Sequence, residues 1–206
     1  MPKLKYSSLT FVSRSSHKPV EYQVLLGLSD LKHLEIPVIE IQSMNLQHVV
    51  EEKFRVLTRQ IPRDTPFFVE HTGLFIDAWG GLPGGLTSLF MELVGSAGIC
   101  KMMRTYQGKE RIARARTLIG YHCTHVTDGV PTHSSVSENQ FFLGEVVGEI
   151  APEPRGNRNF GWDDIFIAKG ETRTYAEMTL DEKNKTSMRR VACDCFLEYL
   201  ASNFEL

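Results

Sequence analysis

The residues from Ala115 to Val126 alternate, with Leu118, Gly120, His122 and Thr124 on one side against Ile119, Tyr121, Cys123 and His125 on the other. A period of two marks a strand whose two faces meet different surroundings. Asp128-Gly129-Val130-Pro131 then carries a turn signal, and Gln140 to Ile150 reads as a second strand with a bulge-prone Gly144. The two are expected to pair antiparallel. The rest of the chain must supply neighbours for the edges of this pair and cover for its faces.

Upstream, strands and helices take turns. Leu9 to Val12 is a short β-type run that gives way to the polar Ser13-Arg14-Ser15-Ser16-His17-Lys18 and then to a helical stretch from Val20 to Leu28. Ile36 to Ile41 reads as a second strand. Leu46 to Gln60 reads as an amphipathic helix with Val49, Val50, Phe54 and Leu57 inward, ended by Pro62. Pro66 to Glu70 is a strand running into His71-Thr72-Gly73-Leu74. Trp79 to Ser88 holds four glycines and a proline, a loop that either lets a backbone approach a ligand closely or makes a tight turn. Leu89 to Met103 is helical, weakened at Gly95 and Gly98.

Downstream, Ile165 to Ile167 is a strand. A last helix, Leu180 to Phe204, aligns Met188, Val191, Ala192, Cys195, Phe196 and Tyr199 along one side. The pattern predicts an α/β fold: a mixed, twisted sheet with flanking helices and two lobes around a central cleft. The 206 residues suffice for one domain, residues 1–206, with a sizeable core and no repeat, low-complexity segment or long linker.

A net charge of −2 gives no reason to expect a nucleic acid or an anionic membrane as partner, and leaves a small anionic ligand open. Cys100, Cys123, Cys193 and Cys195 lack metal-ligand spacing and read as reduced packing residues of a cytoplasmic protein. Met1-Pro2-Lys3-Leu4-Lys5 lacks the apolar core of a signal peptide, and no run approaches the ~18 apolar residues of a membrane span.

Two stretches carry the chemistry. A strand that ends in a polar loop and opens a helix leaves backbone N–H groups pointing outward, an anion-binding geometry to which Ser13, Ser15 and Lys18 add donors. Further on, Asn159-Phe160-Gly161-Trp162-Asp163-Asp164 places two aromatics and two carboxylates together, with Lys183, Asn184, Arg189 and Arg190 following. Aromatic faces stack on planar rings, carboxylates accept ring N–H groups and cations hold anionic oxygens, an inventory that suits a nucleotide. Taken alone, Phe160-Gly161-Trp162 is equally a packed turn.

In order along the chain, these pieces resemble the inosine triphosphate pyrophosphatases, enzymes that hydrolyse (d)ITP and XTP to the monophosphate and pyrophosphate with magnesium. Phe11 to Lys18 resembles the family's phosphate loop, and Val69-Glu70-His71-Thr72-Gly73-Leu74 its acidic box. Gly81-Leu82-Pro83-Gly84 resembles its Gly-x-Pro-Gly turn, and Phe160-Gly161-Trp162-Asp163 its base-binding motif. Thr174 to Met178, Glu182-Lys183-Asn184 and Ser187-Met188-Arg189 resemble its ending. The resemblance implies that Phe160, with Gly161 and Trp162, stacks on the purine, and that Asp163, Lys183 and Arg189, beside Met188, read the keto edge. Ser13, Ser15, Lys18, Lys53 and Thr72 would then face the triphosphate. A dimer is the assembly it implies.

Ser15, Asp164 and Met188 depart from the family's Asn, Pro and His, but the departures that matter most lie at the metal end. His71 stands where the family carries an aspartate that coordinates magnesium and activates water, and imidazole is a poor magnesium ligand. Glu70 remains as a catalytic and metal-binding candidate. The family's second metal carboxylate aligns best with Gln47 or His48, and with Glu40 only if the register slips, so that carboxylate is expected to be lost. Two functions follow. One is a catalytically impaired dITP or ITP sensor, of the kind that controls a sirtuin-like NAD-hydrolysing effector in Kongming-type antiphage defence. The other is an active magnesium-dependent pyrophosphatase, with His71 as a general base suited to neutral pH.

Overall fold

The structure is a computed structural model that describes residues 9–15, 17–63, 65–124, 137–157 and 161–203. Its strands are β1 (Thr10–Val12), β2 (Lys32–Leu34), β3 (Phe67–Ile76), β4 (Pro83–Gly84), β5 (Ile112–Thr124), β6 (Ser137–Ile150) and β7 (Phe166–Ala168). They form one sheet in the order β2-β1-β3-β5-β6-β7, with β4 added to β3. β1 runs parallel to β2 and β3, whereas the β3–β5, β5–β6, β6–β7 and β3–β4 pairs are antiparallel. The sheet is mixed, as the pattern implied. The helices are α1 (Lys18–Leu26), α2 (Leu46–Leu57), α3 (Thr87–Leu93), α4 (Gly95–Met102), α5 (Leu180–Thr186) and α6 (Met188–Asn203).

The alternating pair forms as expected, in unbroken register from Ile112 opposite Glu149 to Thr124 opposite Ser137; the turn signal at Asp128 to Pro131 lies outside the described residues. Gly144 is not a bulge, for it sits opposite Thr117 in the continuous ladder. Its role is close approach. A Cβ at Gly144 would fall 1.9 Å from the Met188 carbonyl oxygen and 2.5 Å from the Ala192 nitrogen, so α6 beds directly on the strand there.

Helices α1 and α6 cover one face of the sheet, packing Tyr22, Leu25, Ala192 and Phe196 on Phe11, Phe68, Ile119 and Tyr121. Helix α2 covers the other face, with Val50, Phe54 and Leu57 on Phe67, Val69 and Leu118. A third cluster joins the far ends of β3 and β5 to α4 and to the segment that carries Trp162, Phe166 and Tyr175. Because β1 pairs with β3 only at Phe67 and Phe68, and β4 pairs with it only at Leu74 and Phe75, the edge of β3 between them has no strand beside it among the described residues. That gap positions the site.

Three expectations are corrected. Ile36 to Ile41 is irregular, and the second strand is the shorter, polar Lys32–Leu34. The helix expected over Leu89 to Met103 is two helices that meet at Val94 and Gly95, the latter at φ 64, a conformation a side chain would oppose. The last helix breaks at Ser187, which is extended at φ −76 and ψ 152. Along α6, Met188, Ala192 and Phe196 are buried as expected, but Val191 and Cys195 are exposed, and Arg189, Cys193 and Leu200 are buried instead. Cys100, Cys123 and Cys193 are buried and Cys195 is exposed, and among the described residues none forms a disulfide. Among the described residues, no helix is long and apolar enough to cross a membrane.

Candidate functional site

The strandless edge of β3 opens onto a cleft of about 340 Å³. The β1–α1 turn brings Ser13, Arg14, Ser15 and Lys18 to it, the irregular segment after β2 brings Glu40, and α2 brings Lys53. Strand β3 contributes Glu70, His71 and Thr72, and Gly161 and Trp162 close the far side. The turn at Ser13 is held by its own hydroxyls: Ser13 Oγ accepts from the Ser15 amide at 3.1 Å and Ser15 Oγ from the Lys18 amide at 3.4 Å. Lys18, partly exposed, donates to Glu70 Oε1 at 2.6 Å.

Consecutive residues of a strand point to opposite faces, and so Glu70 and His71 enter different surroundings. Glu70 faces α1 and α6. Its Oε2 accepts from the Tyr22 hydroxyl at 2.8 Å and from Arg189 Nε at 3.0 Å, while Lys18 occupies Oε1. Burial opposes the charged form, but the Arg189 and Lys18 cations more than offset it and hold the carboxyl well below the usual range. Glu70 is thus a saturated anchor, with both oxygens engaged.

His71 faces the other way. Its Nε2 lies 2.9 Å from the Gly85 carbonyl oxygen, which can only accept, so Nε2 carries the proton and Nδ1 keeps its lone pair. Desolvation and the nearby Lys53 push its pKa down, leaving a neutral ring at pH 7. Nδ1 looks across 3.8 Å to Glu40 Oε2, and Glu40 Oε1 takes a 2.6 Å ion pair from Lys53. Lys53 also donates to the Glu70 carbonyl at 2.8 Å. A Cβ on Gly85 would meet the Ser43 carbonyl oxygen at 2.1 Å, so glycine there lets the segment bearing Glu40 lie against β3. The glycine-rich loop therefore admits a neighbouring backbone. Gln47, by contrast, bonds Glu51 at 2.8 Å on the exposed start of α2, and His48 is exposed. Of the three positions considered for a second carboxylate, Glu40 is the one that lines the cleft.

A second cavity, of about 360 Å³, is lined by His17, Glu21, Asp163, Tyr175, Met178 and Lys183 among others. Asp163 is buried, and its Oδ2 is bound by the Lys183 ammonium. Its Oδ1 is buried with no hydrogen-bond partner among the described residues. Burial raises the Asp163 pKa against the pull of Lys183. The Lys183 ammonium also stands 5.6 Å over the Tyr175 ring.

The remaining expected residues divide. Phe160 lies outside the described residues. Trp162 is packed edge-on against Phe166 at 5.5 Å, with its rim on the cleft. Thr72 shares a 2.9 Å hydrogen bond with Thr117. Met188 is wholly buried in the core rather than at a base edge. Arg189 is also wholly buried, spanning Glu70 and both oxygens of Glu21 at 2.7 and 2.8 Å, so it stands behind the pocket and not in it. Sequence reasoning missed Glu21. It follows Lys18 by three residues on α1, so helical spacing puts both on one face, and that signal was available.

A family model described as the Ham1 family matches residues 9–199. The chain belongs to the Ham1 family. Among its relatives is the dITP/XTP pyrophosphatase of Thermococcus kodakarensis, 36% identical over 201 residues that cover 96% of this chain and 99% of the relative. The inosine triphosphate pyrophosphatase of Schizosaccharomyces pombe is 33% identical over 95% of this chain and 96% of its own. A solved Ham1 protein from Staphylococcus aureus superposes with a TM-score of 0.72 over 94% of this chain and 98% of that one, at 21% identity, and speaks to the fold.

Magnesium, the ion the resemblance implies, is poorly served by these residues. It demands hard oxygen ligands in near-octahedral array. Among the described residues no group of three His, Cys, Asp or Glu side chains is placed to hold an ion. Glu70 is saturated, His71 offers nitrogen, and Glu40 alone presents a carboxylate oxygen to this part of the cleft. The donor set does not fit magnesium.

Proposed function

We propose that this Ham1-family chain binds purine nucleoside triphosphates whose base carries an N–H donor on its pairing edge, as hypoxanthine and xanthine do, and cleaves them to the monophosphate and pyrophosphate. The observation that carries the reading is Asp163 Oδ1, a buried acceptor without a donor. Leaving such an atom unpaired costs about 1–3 kcal/mol, a cost that a ring N–H entering the second cavity would remove. Adenine has no hydrogen at that ring nitrogen, and it would bring an acceptor against an acceptor. Lys18 and the amides opening α1 then meet the phosphates in the cleft, and the names borne by the relatives agree with this substrate class.

The test is equilibrium binding of dITP and dATP, with the products of each followed by chromatography. The wild-type chain should favour dITP by at least about tenfold, as a site built around a particular donor does. Asp163→Asn, whose amide can offer either a donor or an acceptor, should shrink that preference. Equal affinities in the wild type would overturn the reading.

A second reading, the sensor, is favoured by the saturated Glu70 and by the nitrogen at His71, which leave little for phosphoryl chemistry. On that reading the bound nucleotide would be passed as a signal to an NAD-hydrolysing effector. Tight dITP binding with no pyrophosphate released under any divalent ion would favour the sensor. Turnover above ~1 s⁻¹ would place the chain among ordinary enzymes.

A further inference from the structure

We propose that the groove between α1, α5 and the start of α6 is a further ligand site, which takes an adenine nucleotide with a single phosphate group, adenosine monophosphate (AMP). Its described lining shares no residue with the cleft or with the Asp163 cavity, and the inference does not rest on the reading of either.

Asn184 leads to it. The residue is only 5% exposed, and both its Nδ2 and its Oδ1 are buried with no hydrogen-bond partner among the described residues. A buried amide left unpaired at both atoms carries the desolvation cost of a donor and of an acceptor together. No hydrogen bond holds the amide where it is, so turning it toward a ligand breaks none. An open groove of about 510 Å³ adjoins it, lined by Val24, Asp181, Asn184, Lys185 and Arg190. That volume lies within the range of small-molecule sites. Asn184 and Lys185 follow Asp181 by three and four residues along α5, so all three lie on one side of the helix.

The ligand follows from these parts. A carboxamide offers a donor and an acceptor side by side, and asparagine pairs in this way with N6 and N7 of adenine. Adenine carries that pair on both edges, at N6 with N1 and at N6 with N7. Hypoxanthine and guanine present two acceptors, O6 and N7, on one of theirs. Val24, more than half exposed, offers an apolar surface to the face of the base. Lys185 is exposed, and Arg190 reaches across with Nε on the Asn184 carbonyl at 3.4 Å and Nη1 on the Leu25 carbonyl at 3.2 Å. Because Arg190 is also paired with Asp194 at 3.0 Å, the two cations suit one phosphate group better than three. Asp181 can accept from the ribose hydroxyls.

The experiment is calorimetric titration of the full chain with AMP in EDTA, alone and with saturating dITP. One AMP should bind per chain, with an affinity that dITP leaves unchanged. With dITP present, inosine and guanosine monophosphates should bind at least about tenfold more weakly, the worth of one good two-bond base contact. Asn184→Leu replaces an unpaired amide by an apolar side chain of similar size, so it should abolish AMP binding without lowering the melting temperature. Lys185→Ala, at an exposed position, should weaken AMP and leave adenosine unchanged. If AMP does not bind, if dITP displaces it, if inosine monophosphate binds as well, or if Asn184→Leu binds AMP like the wild type, the inference fails. Should Asn184→Leu melt lower, Lys185→Ala decides, and an undiminished AMP affinity in that variant overturns the inference. A chain that binds AMP but not dITP would overturn the reading of the cleft and leave this one standing.

Discussion

Arg189 shows how far a residue's role depends on partners that are remote in sequence. Its guanidinium is wholly buried between Glu70, 119 positions away, and Glu21, 168 positions away. Removing one member of a buried ion pair leaves the others uncompensated and costs about 3–5 kcal/mol. Arg189→Ala should therefore lower stability to denaturant by that order, and Arg189→Lys should recover part of it, since an ammonium cannot fork between two carboxylates. A loss below about 1 kcal/mol, the range of surface pairs, would show that the network contributes little. Lys18, Asp163 and Lys183 were legible because each falls in a stretch dense with nucleotide-binding chemistry. The buried position of Arg189 was not, because nothing near it in sequence signals the two carboxylates. The same holds for His71: its neighbour Gly85 lies in a recognisable loop, yet the hydrogen bond between them comes only from the way β3 and β4 meet.

At the scale of elements, the alternating strands announced themselves because each has two unlike faces over ten or more residues. Short or polar elements did not. Lys32–Leu34 is three residues at a sheet edge, with two of them exposed, and it leaves no hydrophobic pattern to read. Ile36 to Ile41 has the composition of a strand but is irregular, and it brings Ile36, Val38 and Glu40 to the cleft. The break before α6 carries neither glycine nor proline. Its signal is the Ser187 side chain, which accepts from the Arg190 amide at 3.1 Å and so starts a new helix. Position 144 tests how tightly that helix is seated. Gly144→Ala puts a methyl within 1.9 Å of the Met188 carbonyl and 3.0 Å of the Ala192 Cβ, and both backbone segments are fixed by their own hydrogen bonds. Overpacking of this kind costs about 1–3 kcal/mol. Because the displaced turn carries Arg189, Gly144→Ala should also weaken dITP binding. A variant with unchanged melting temperature and unchanged affinity would mean that α6 is free to rise off the sheet.

For the whole molecule, the cleft follows from topology, from the stretch of β3 edge left between a short parallel neighbour and a short antiparallel one. A cleft made that way gathers charged and titratable groups from four segments, and their titration sets how stability varies with pH. Two groups pull in the same direction. The native pKa of His71 lies below the ordinary 6.5, so the unfolded chain takes up a proton before the native one does, and stability falls as the pH drops through that ordinary value toward the lowered one. The native pKa of Glu70 lies well below 4.5, so its contribution is complete above 4.5 and drains away as the pH falls below it. Asp163, with a raised native pKa, has the opposite sign: its cost is present at neutral pH and is relieved as it protonates. Denaturation at a series of pH values should therefore show a shallow loss beginning near pH 6.5 and a steeper one below about 4.5, blunted by Asp163. His71→Gln should erase the shallow phase and leave the steep one, whereas Arg189→Ala should flatten the steep phase, because it removes the main cation that lowers the Glu70 pKa. If stability were level between pH 7 and 5 in the wild type, His71 would not be held neutral by its surroundings, and the free lone pair facing Glu40 would lose its physical basis.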